Sequence, residues 1–251
     1  MAQKLLALIG KSLSHSFSPF YFNSLFEVNN YVDYSYITIE IDTIDEIQKV
    51  LLDYPNLIGF NVTFPYKEKI IPYLDKLSPN AKKIGAVNVV KLHKENGIIK
   101  LHGFNTDYDG FLAILKRLSY TNVHSYSALV LGTGGASKTV QFVLKKKKIP
   151  FYVISRDPEK GDLIYDQLTK EIYQTHKLII NCTPLGTFPN VTEKPPIDYS
   201  GIGGSHILVD LVYNPQESAF LKEGLHKNCR IINGLMMLTV QADKSWKIFN
   251  S

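Results

Sequence analysis

The 251-residue chain is short of three things: cysteine, long apolar runs and charge of one sign. Its two cysteines, Cys182 and Cys229, cannot build a disulfide framework. Neither sits in a CxxC pair or beside histidines at metal-ligand spacing, so both are expected to be reduced and structural, and no metal is expected. No apolar run reaches the roughly 20 residues that a membrane-spanning helix needs. The apolar stretch at 5–9 is too short for the core of a signal peptide and reads better as a first strand, so a cytoplasmic protein is expected. Against 23 acidic side chains stand 28 basic ones, a mild net charge of +5. Much of the excess is one run, Lys145-Lys146-Lys147-Lys148. It reads as a solvated helix end, where cations favour the macrodipole. A nucleic-acid patch is the weaker reading, because no aromatics interleave with the lysines.

What is present is the composition of a folded soluble chain, 45% apolar and 20% charged. The length allows one large domain or two small ones, each able to bury a core without disulfides. The first hundred residues alternate strand and helix. Residues 4–9 read as a buried strand. Ser18 offers an N-cap with Pro19 at the first helical position, opening a helix over 20–28. Residues 34–41 alternate as a strand, and Thr43 to Glu46 form a capping box before a helix reaching 52. A strand is expected at 57–62 and a short helix at 65–71. Strands at 87–93 and 98–103 flank Glu95-Asn96-Gly97, a hairpin signal. A well-patterned helix covers 107–118, and the polar stretch 119–125 reads as a linker near a domain boundary.

From Ala128 onward the pattern repeats as strand and helix. Strands are expected at 128–131, 151–154, 178–181, 207–211 and 230–232. Helices are expected at 136–146 and 215–224, and a final helix at 235–249 is expected to pack back on the first domain. Such alternation predicts a parallel sheet covered on both faces.

Two sets of residues carry chemistry. The first is Leu131-Gly132-Thr133-Gly134-Gly135-Ala136-Ser137, a glycine turn between a predicted strand and a predicted helix. Gly132 permits the tight turn, Gly134 lets backbone approach a pyrophosphate, and the helix N-terminus favours the anion. Ser137 stands where a third glycine is usual. At the end of the next strand, Ser155-Arg156-Asp157 is followed by Lys160. Arginine there can hold a 2′-phosphate, whereas a carboxylate holds a free ribose 2′-hydroxyl. Arg156 with Lys160 points to NADP; Asp157 leaves NAD open.

The second set is polar residues at strand ends: Ser12-Leu13-Ser14-His15-Ser16-Phe17-Ser18-Pro19, Asn61-Val62-Thr63-Phe64-Pro65-Tyr66-Lys67, Gly85-Ala86-Val87-Asn88 and Asn105-Thr106-Asp107. Ser14 and Ser16 suit a carboxylate. Thr63, Asn88 and Asp107 suit a polyhydroxylated ligand. Lys67 and Asp107 make an acid–base candidate. Read singly, each is a cap or a surface charge; read together, beside a dinucleotide loop, they make a site.

These segments resemble the shikimate dehydrogenase family. Four further stretches carry the resemblance: Gly132 to Ser137, then Asn181-Cys182-Thr183-Pro184-Leu185-Gly186, then Asp210-Leu211-Val212-Tyr213-Asn214-Pro215, and finally Asn233-Gly234-Leu235-Met236-Met237-Leu238-Thr239-Val240-Gln241-Ala242. Together they run in order along almost the whole chain. The resemblance implies an α/β fold with a substrate-binding and catalytic domain, residues 1–105 and 235–251, and a Rossmann-like dinucleotide-binding domain, residues 106–234. It implies reversible NADPH-dependent reduction of 3-dehydroshikimate to shikimate in aromatic amino-acid biosynthesis.

The roles follow residue by residue. Lys67 would be the acid–base group with Asp107 as its partner. Ser14, Ser16 and Tyr213 would hold the substrate carboxylate, and Thr63, Asn88, Asp107 and Gln241 the ring hydroxyls. Gly132, Gly134, Gly135 and Ala136 would cradle the pyrophosphate, and Ser155, Arg156 and Lys160 the adenosine ribose. Thr183, Gly234 and Met237 would also bind the cofactor, the last two near the nicotinamide. The chain departs from the family pattern at Asp157, at Thr187, where Met is common, and at Val89, where Thr is common. A quinate/shikimate dehydrogenase using NAD shares these motifs. A non-catalytic dinucleotide sensor would not need both Lys67 and Asp107. The expected partners are the small-molecule substrate and cofactor, without nucleic acid or membrane, in a monomer or homodimer.

Overall fold

A computed structural model describes residues 3–14, 16–118 and 126–251. His15 and the stretch 119–125 read above as a linker lie outside the described residues. The chain divides into two compact units, Met1–Thr106 with Gln241–Ser251, and Asp107–Val240.

The first unit starts with β1 (Lys4–Gly10), whose side chains alternate between two apolar layers. Leu5, Ala7 and Ile9 enter one core and Leu6 and Leu8 the other, so the strand reads as an unbroken apolar run. α1 (Ser18–Val28) places Phe22 and Phe26 in the second core. Ser18 is not its N-cap: Phe17 is already helical and its carbonyl accepts from the Tyr21 N–H at 3.0 Å, while the Ser18 hydroxyl bonds to Tyr36. β2 (Tyr34–Glu40) follows, and α2 (Ile47–Asp53) buries Ile47 and Val50 in the first core. The Glu46 carboxylate ahead of α2 accepts from the Thr43 N–H at 2.9 Å, one half of the expected capping box.

β3 (Leu57–Val62) runs as expected, but the helix expected at 65–71 is a series of turns that ends in a 3-10 turn at Ile71–Tyr73. Pro65 and Pro72 each remove a backbone donor, and a residue before proline avoids the helical region. β4 (Lys76–Leu77) and α3 (Pro79–Ile84) were not expected. Ser78 caps α3 by accepting from the Ala81 N–H at 3.3 Å, and Gly85 ends it at φ 73°. β5 (Val89–Glu95) and β6 (Ile98–Phe104) pair antiparallel across Asn96 and Gly97, both at positive φ, as a two-residue hairpin turn requires. The sheet order is β2-β1-β3-β5-β6-β4, with β1 parallel to both neighbours.

The second unit opens with α4 (Asp107–Leu118) and β7 (Ala128–Leu131). Next come α5 (Gly135–Lys146), β8 (Phe151–Ser155), β9 (Leu163–Ile164), α6 (Lys170–Thr175) and β10 (Leu178–Asn181). β11 (Ile207–Asp210), α7 (Ala219–His226), β12 (Arg230–Ile232) and α8 (Leu235–Phe249) complete the chain. α7 begins at Ala219, not Pro215, because Ser218 caps it by accepting from the Leu221 N–H at 3.3 Å. The sheet is parallel throughout, in the order β12-β11-β10-β7-β8-β9. The chain leaves β7 toward β8 and later returns to β10 on the other side. The strand order therefore reverses between β7 and β10, where such sheets bind ligands at their carboxyl ends. The end of α8 belongs to the first unit, where Phe249 fills the space that Gly59 leaves by lacking a Cβ. Among the described residues no helix is long and apolar enough to cross a membrane.

Candidate active site

In the first unit, the ends of β1 and β3 are register neighbours, Ile9 beside Val62. The chain beyond each strand therefore emerges on one edge. Beyond β1 comes the loop with Ser14, exposed, and Ser16, half-buried. Leu13 anchors it, buried in the core and with its N–H donated to the Glu40 carboxylate at 2.6 Å. Beyond β3 comes Thr63, whose N–H donates to the Ile9 carbonyl at 2.9 Å. Lys67 follows, half-buried, its carbonyl accepting from the Val87 N–H at 2.7 Å. That bond ties the lysine's backbone to the segment that carries Asn88.

Asn88 is 3% exposed and joins distant parts of the unit. Its Oδ1 accepts from the Thr106 N–H at 2.7 Å, and its Nδ2 donates to Thr106 Oγ1 at 3.0 Å and to Gln241 Oε1 at 3.3 Å. Two predicted residues, Asn88 and Gln241, are thus direct partners. Through Asn61 the network extends to Tyr36 and Ser245, which sequence reasoning did not single out. Asn61 donates to the Asn88 carbonyl at 3.2 Å and to Ser245 Oγ at 3.1 Å, and accepts from the Tyr36 hydroxyl at 2.8 Å. Burial pushes the Tyr36 hydroxyl well above its ordinary range, so it stays a donor. The available signal was a polar residue, Asn61, inside the apolar run of β3.

In the second unit, Asp107 is the buried first residue of α4. After β7 comes the glycine turn. Gly132 sits at φ 103°, and a Cβ there would meet Thr183 Cγ2 at 3.1 Å, so the turn and the Thr183 segment touch. Gly134 is the N-cap of α5, exposed, with nothing within 4 Å of where a Cβ would point. Backbone N–H groups, unscreened by side chains, thus open onto empty space at a helix N-terminus, beside Gly135 and Ala136. This arrangement fits a pyrophosphate.

At the end of β8, Ser155 is buried and accepts from the Asp157 N–H at 3.0 Å, while Arg156 is exposed. Asp157 does not stand unpaired: its Oδ1 accepts from the Glu159 N–H at 3.1 Å and its Oδ2 pairs with Lys160 at 2.9 Å. The lysine ammonium and that hydrogen bond hold the Asp157 carboxyl below its usual range.

β10 and β11 end in register at Asn181 and Asp210. Asn181 accepts from the Thr183 hydroxyl at 2.6 Å and donates to Asp210 at 2.9 Å. Tyr213, half-buried, follows in the next turn. Gly234 lies close against the Leu211 carbonyl, which a Cβ there would meet, and Met237 packs over Gly110. Cys182 and Cys229 are free, and burial pushes both thiols up, away from reactive thiolate.

The comparisons agree with this geometry. The family described as "Shikimate dehydrogenase substrate binding domain" matches residues 8–90. A shikimate dehydrogenase (NADP(+)) from Methanococcus aeolicus is 36% identical over 98% of this chain and 91% of its own. One from Clostridium botulinum is 38% identical over 94% of this chain and 92% of its own. The crystal structure of the Thermus thermophilus enzyme, in complex with NADP(H) and shikimate, superposes with a TM-score of 0.82 at 29% identity, covering 98% of this chain and 93% of that one. This chain belongs to the shikimate dehydrogenase family.

Membership in the shikimate dehydrogenase family gives the two glycines of the dinucleotide turn different expected responses. Gly132→Ala forces an L side chain into the left-handed region against Thr183. It should destabilise the fold by about 1–2 kcal/mol, read as a lower Tm. Gly134 has an ordinary φ of −75° and open space, so Gly134→Val should leave Tm nearly unchanged. If the turn cradles the pyrophosphate, the substitution should weaken dinucleotide binding by about tenfold or more, because the side chain would fill that space. Calorimetric titration with NADP alongside thermal melting separates the two. A Gly134→Val protein binding NADP like the parent would remove this turn from the cofactor site.

Proposed function

We propose that this chain is an NADP-dependent shikimate dehydrogenase, catalysing the reversible reduction of 3-dehydroshikimate to shikimate. The observation that carries this reading is the near-full-length match to shikimate dehydrogenases (NADP(+)), which spans the substrate motifs and the dinucleotide turn alike. Gly132, Gly134, Gly135 and Ala136 hold the pyrophosphate of the cofactor, and Ser155, Arg156 and Lys160 its phosphorylated ribose. Thr183, Gly234 and Met237 would also bind the cofactor, Gly234 and Met237 near its nicotinamide. When bound, NADPH supplies the hydride.

The chain's own residues do the rest. Ser14, Ser16 and Tyr213 orient the substrate through its carboxylate. Thr63, Asn88, Asp107 and Gln241 bind its ring hydroxyls, with Asn88 and Gln241 held to each other by the buried network around Thr106. A ketone that accepts a hydride becomes an alkoxide and must take a proton. The Lys67 ammonium gives that proton to the C3 oxygen, and in the reverse direction neutral Lys67 removes it from the hydroxyl. Asp107 keeps the lysine oriented toward that oxygen.

The test follows the oxidation of shikimate at the absorbance band of the reduced nicotinamide, with NADP and NAD side by side and quinate as a second substrate. Turnover of shikimate with NADP is expected. Turnover of quinate with NAD in preference would replace this reading, and no turnover of either acid would overturn it.

A further inference from the structure

We propose that Asp210 is a positioning residue of the second unit, holding the Thr183, Tyr213 and Gly234 segments in one arrangement. The proposal deepens the function proposed above and rests on it. Asp210 is fully buried, yet it is placed in neither the substrate set nor the cofactor set. Its carboxylate accepts from groups on three sides. Asn181 Nδ2 reaches Oδ1 at 2.9 Å, the Val212 N–H reaches the same oxygen at 3.0 Å, and the Ser218 hydroxyl donates to Oδ2.

Each partner passes the constraint on. Asn181 turns its own oxygen to the Thr183 N–H at 3.0 Å and the Thr183 hydroxyl at 2.6 Å, and Thr183 Oγ1 accepts from the Leu185 N–H at 3.3 Å. Thr183 is therefore fixed against Gly132 of the dinucleotide turn. Val212, pinned by its N–H, accepts through its carbonyl from the Gly234 N–H at 3.0 Å, and the next residue is Tyr213. Ser218 caps α7 through the Leu221 N–H. One carboxylate thus fixes a cofactor residue on one side and a substrate-carboxylate residue on the other.

Burial drives such a group toward its neutral form and raises the Asp210 carboxyl, which with its hydrogen bonds included lies at about 6. The donors from Ser218, Val212 and Asn181 oppose the effect of burial and favour the charged, accepting form. The arrangement follows from register: Asn181 and Asp210 are the last residues of adjacent parallel strands, so their side chains meet where the two loops begin.

The test compares Asp210→Ala, Asp210→Asn and Thr183→Ala by calorimetric titration with NADP, steady-state kinetics with shikimate, and thermal melting. Asp210→Ala removes the shared acceptor. It should raise both the NADP Kd and the shikimate KM by about tenfold, with kcat less affected. Thr183→Ala should raise the NADP Kd alone. Asp210→Asn keeps an oxygen for Asn181 and Val212 and can donate to Ser218, so it should restore both constants to within about threefold of the parent. A folded Asp210→Ala protein with both constants unchanged would overturn the proposal. So would equal defects in Asp210→Ala and Asp210→Asn. If Asp210→Ala does not fold, Asn181→Ala cuts the bridge to Thr183 only and should raise the NADP Kd alone; an unchanged Kd there overturns the proposal as well. A parent protein that neither binds NADP nor oxidises shikimate would instead defeat the functional reading beneath it.

Discussion

Lys67→Ala should lower kcat by about two to four orders of magnitude while shikimate KM and NADP Kd stay close to their parent values. The size follows from the acid–base role proposed for the side chain. Hydride addition leaves negative charge on the former carbonyl oxygen. Without an adjacent acid, that charge must wait for water to supply a proton. The backbone at residue 67 should hold, because its carbonyl accepts from the Val87 N–H and truncation of the side chain leaves that bond in place. Lys67→Arg should fail to restore turnover. A guanidinium keeps the charge but does not give up its proton near neutral pH. That contrast separates proton transfer from charge alone. If Lys67→Arg recovered most of the rate, the lysine would act as a fixed cation, and if Lys67→Ala turned over at near-parent kcat, the acid–base role would fall.

Legibility in the sequence depended on how local the cause of each feature is. β3, β7, β10 and β12 were readable because each is an apolar run closed by polar or turn residues. The β5–β6 hairpin was readable because Asn96 and Gly97 accept the positive φ that its turn imposes. α3 and α6 were missed because a helix of six residues is shorter than the window in which helical periodicity shows. The cap residues Ser78 and Gly85 were in plain sight, but so short a helix gave them nothing to frame. The start of α7 was misplaced because Pro215 mimics a first-turn proline, whereas the bond that starts the helix comes from Ser218. At the site, strand-end residues such as Thr63 and Asn88 were legible from their position and polarity. The contact between Asn88 and Gln241 spans 153 positions, and no local pattern encodes it. Asp210 looks like any turn aspartate in the sequence; only the register of β10 against β11 shows it as a buried acceptor beneath two loops.

Arg156→Ala should weaken NADP binding by about tenfold to a hundredfold and leave NAD binding nearly unchanged, the fold-change expected from losing a charge-assisted hydrogen bond to a phosphate. The sequence set Arg156 against Asp157, since a carboxylate in the same place would repel the 2′-phosphate. The structure separates them. The Asp157 carboxylate is engaged by the Glu159 N–H and the Lys160 ammonium, within its own turn, while Arg156 stands exposed beyond buried Ser155. The carboxylate therefore shapes the turn, which supports the role proposed for the exposed guanidinium. Two consequences follow for binding measured without substrate. Asp157→Ala should change the ratio of NADP to NAD affinity by less than about threefold, because the carboxylate is already neutralised within its own turn by the Glu159 N–H and Lys160. Raising the ionic strength should weaken NADP more than NAD in the parent protein, and this difference should shrink in Arg156→Ala. An Arg156→Ala protein that kept its preference for NADP would move the selecting charge elsewhere. A large gain of NADP affinity in Asp157→Ala would mean that the carboxylate faces the phosphate when the dinucleotide is bound, whatever its partners are in the free protein.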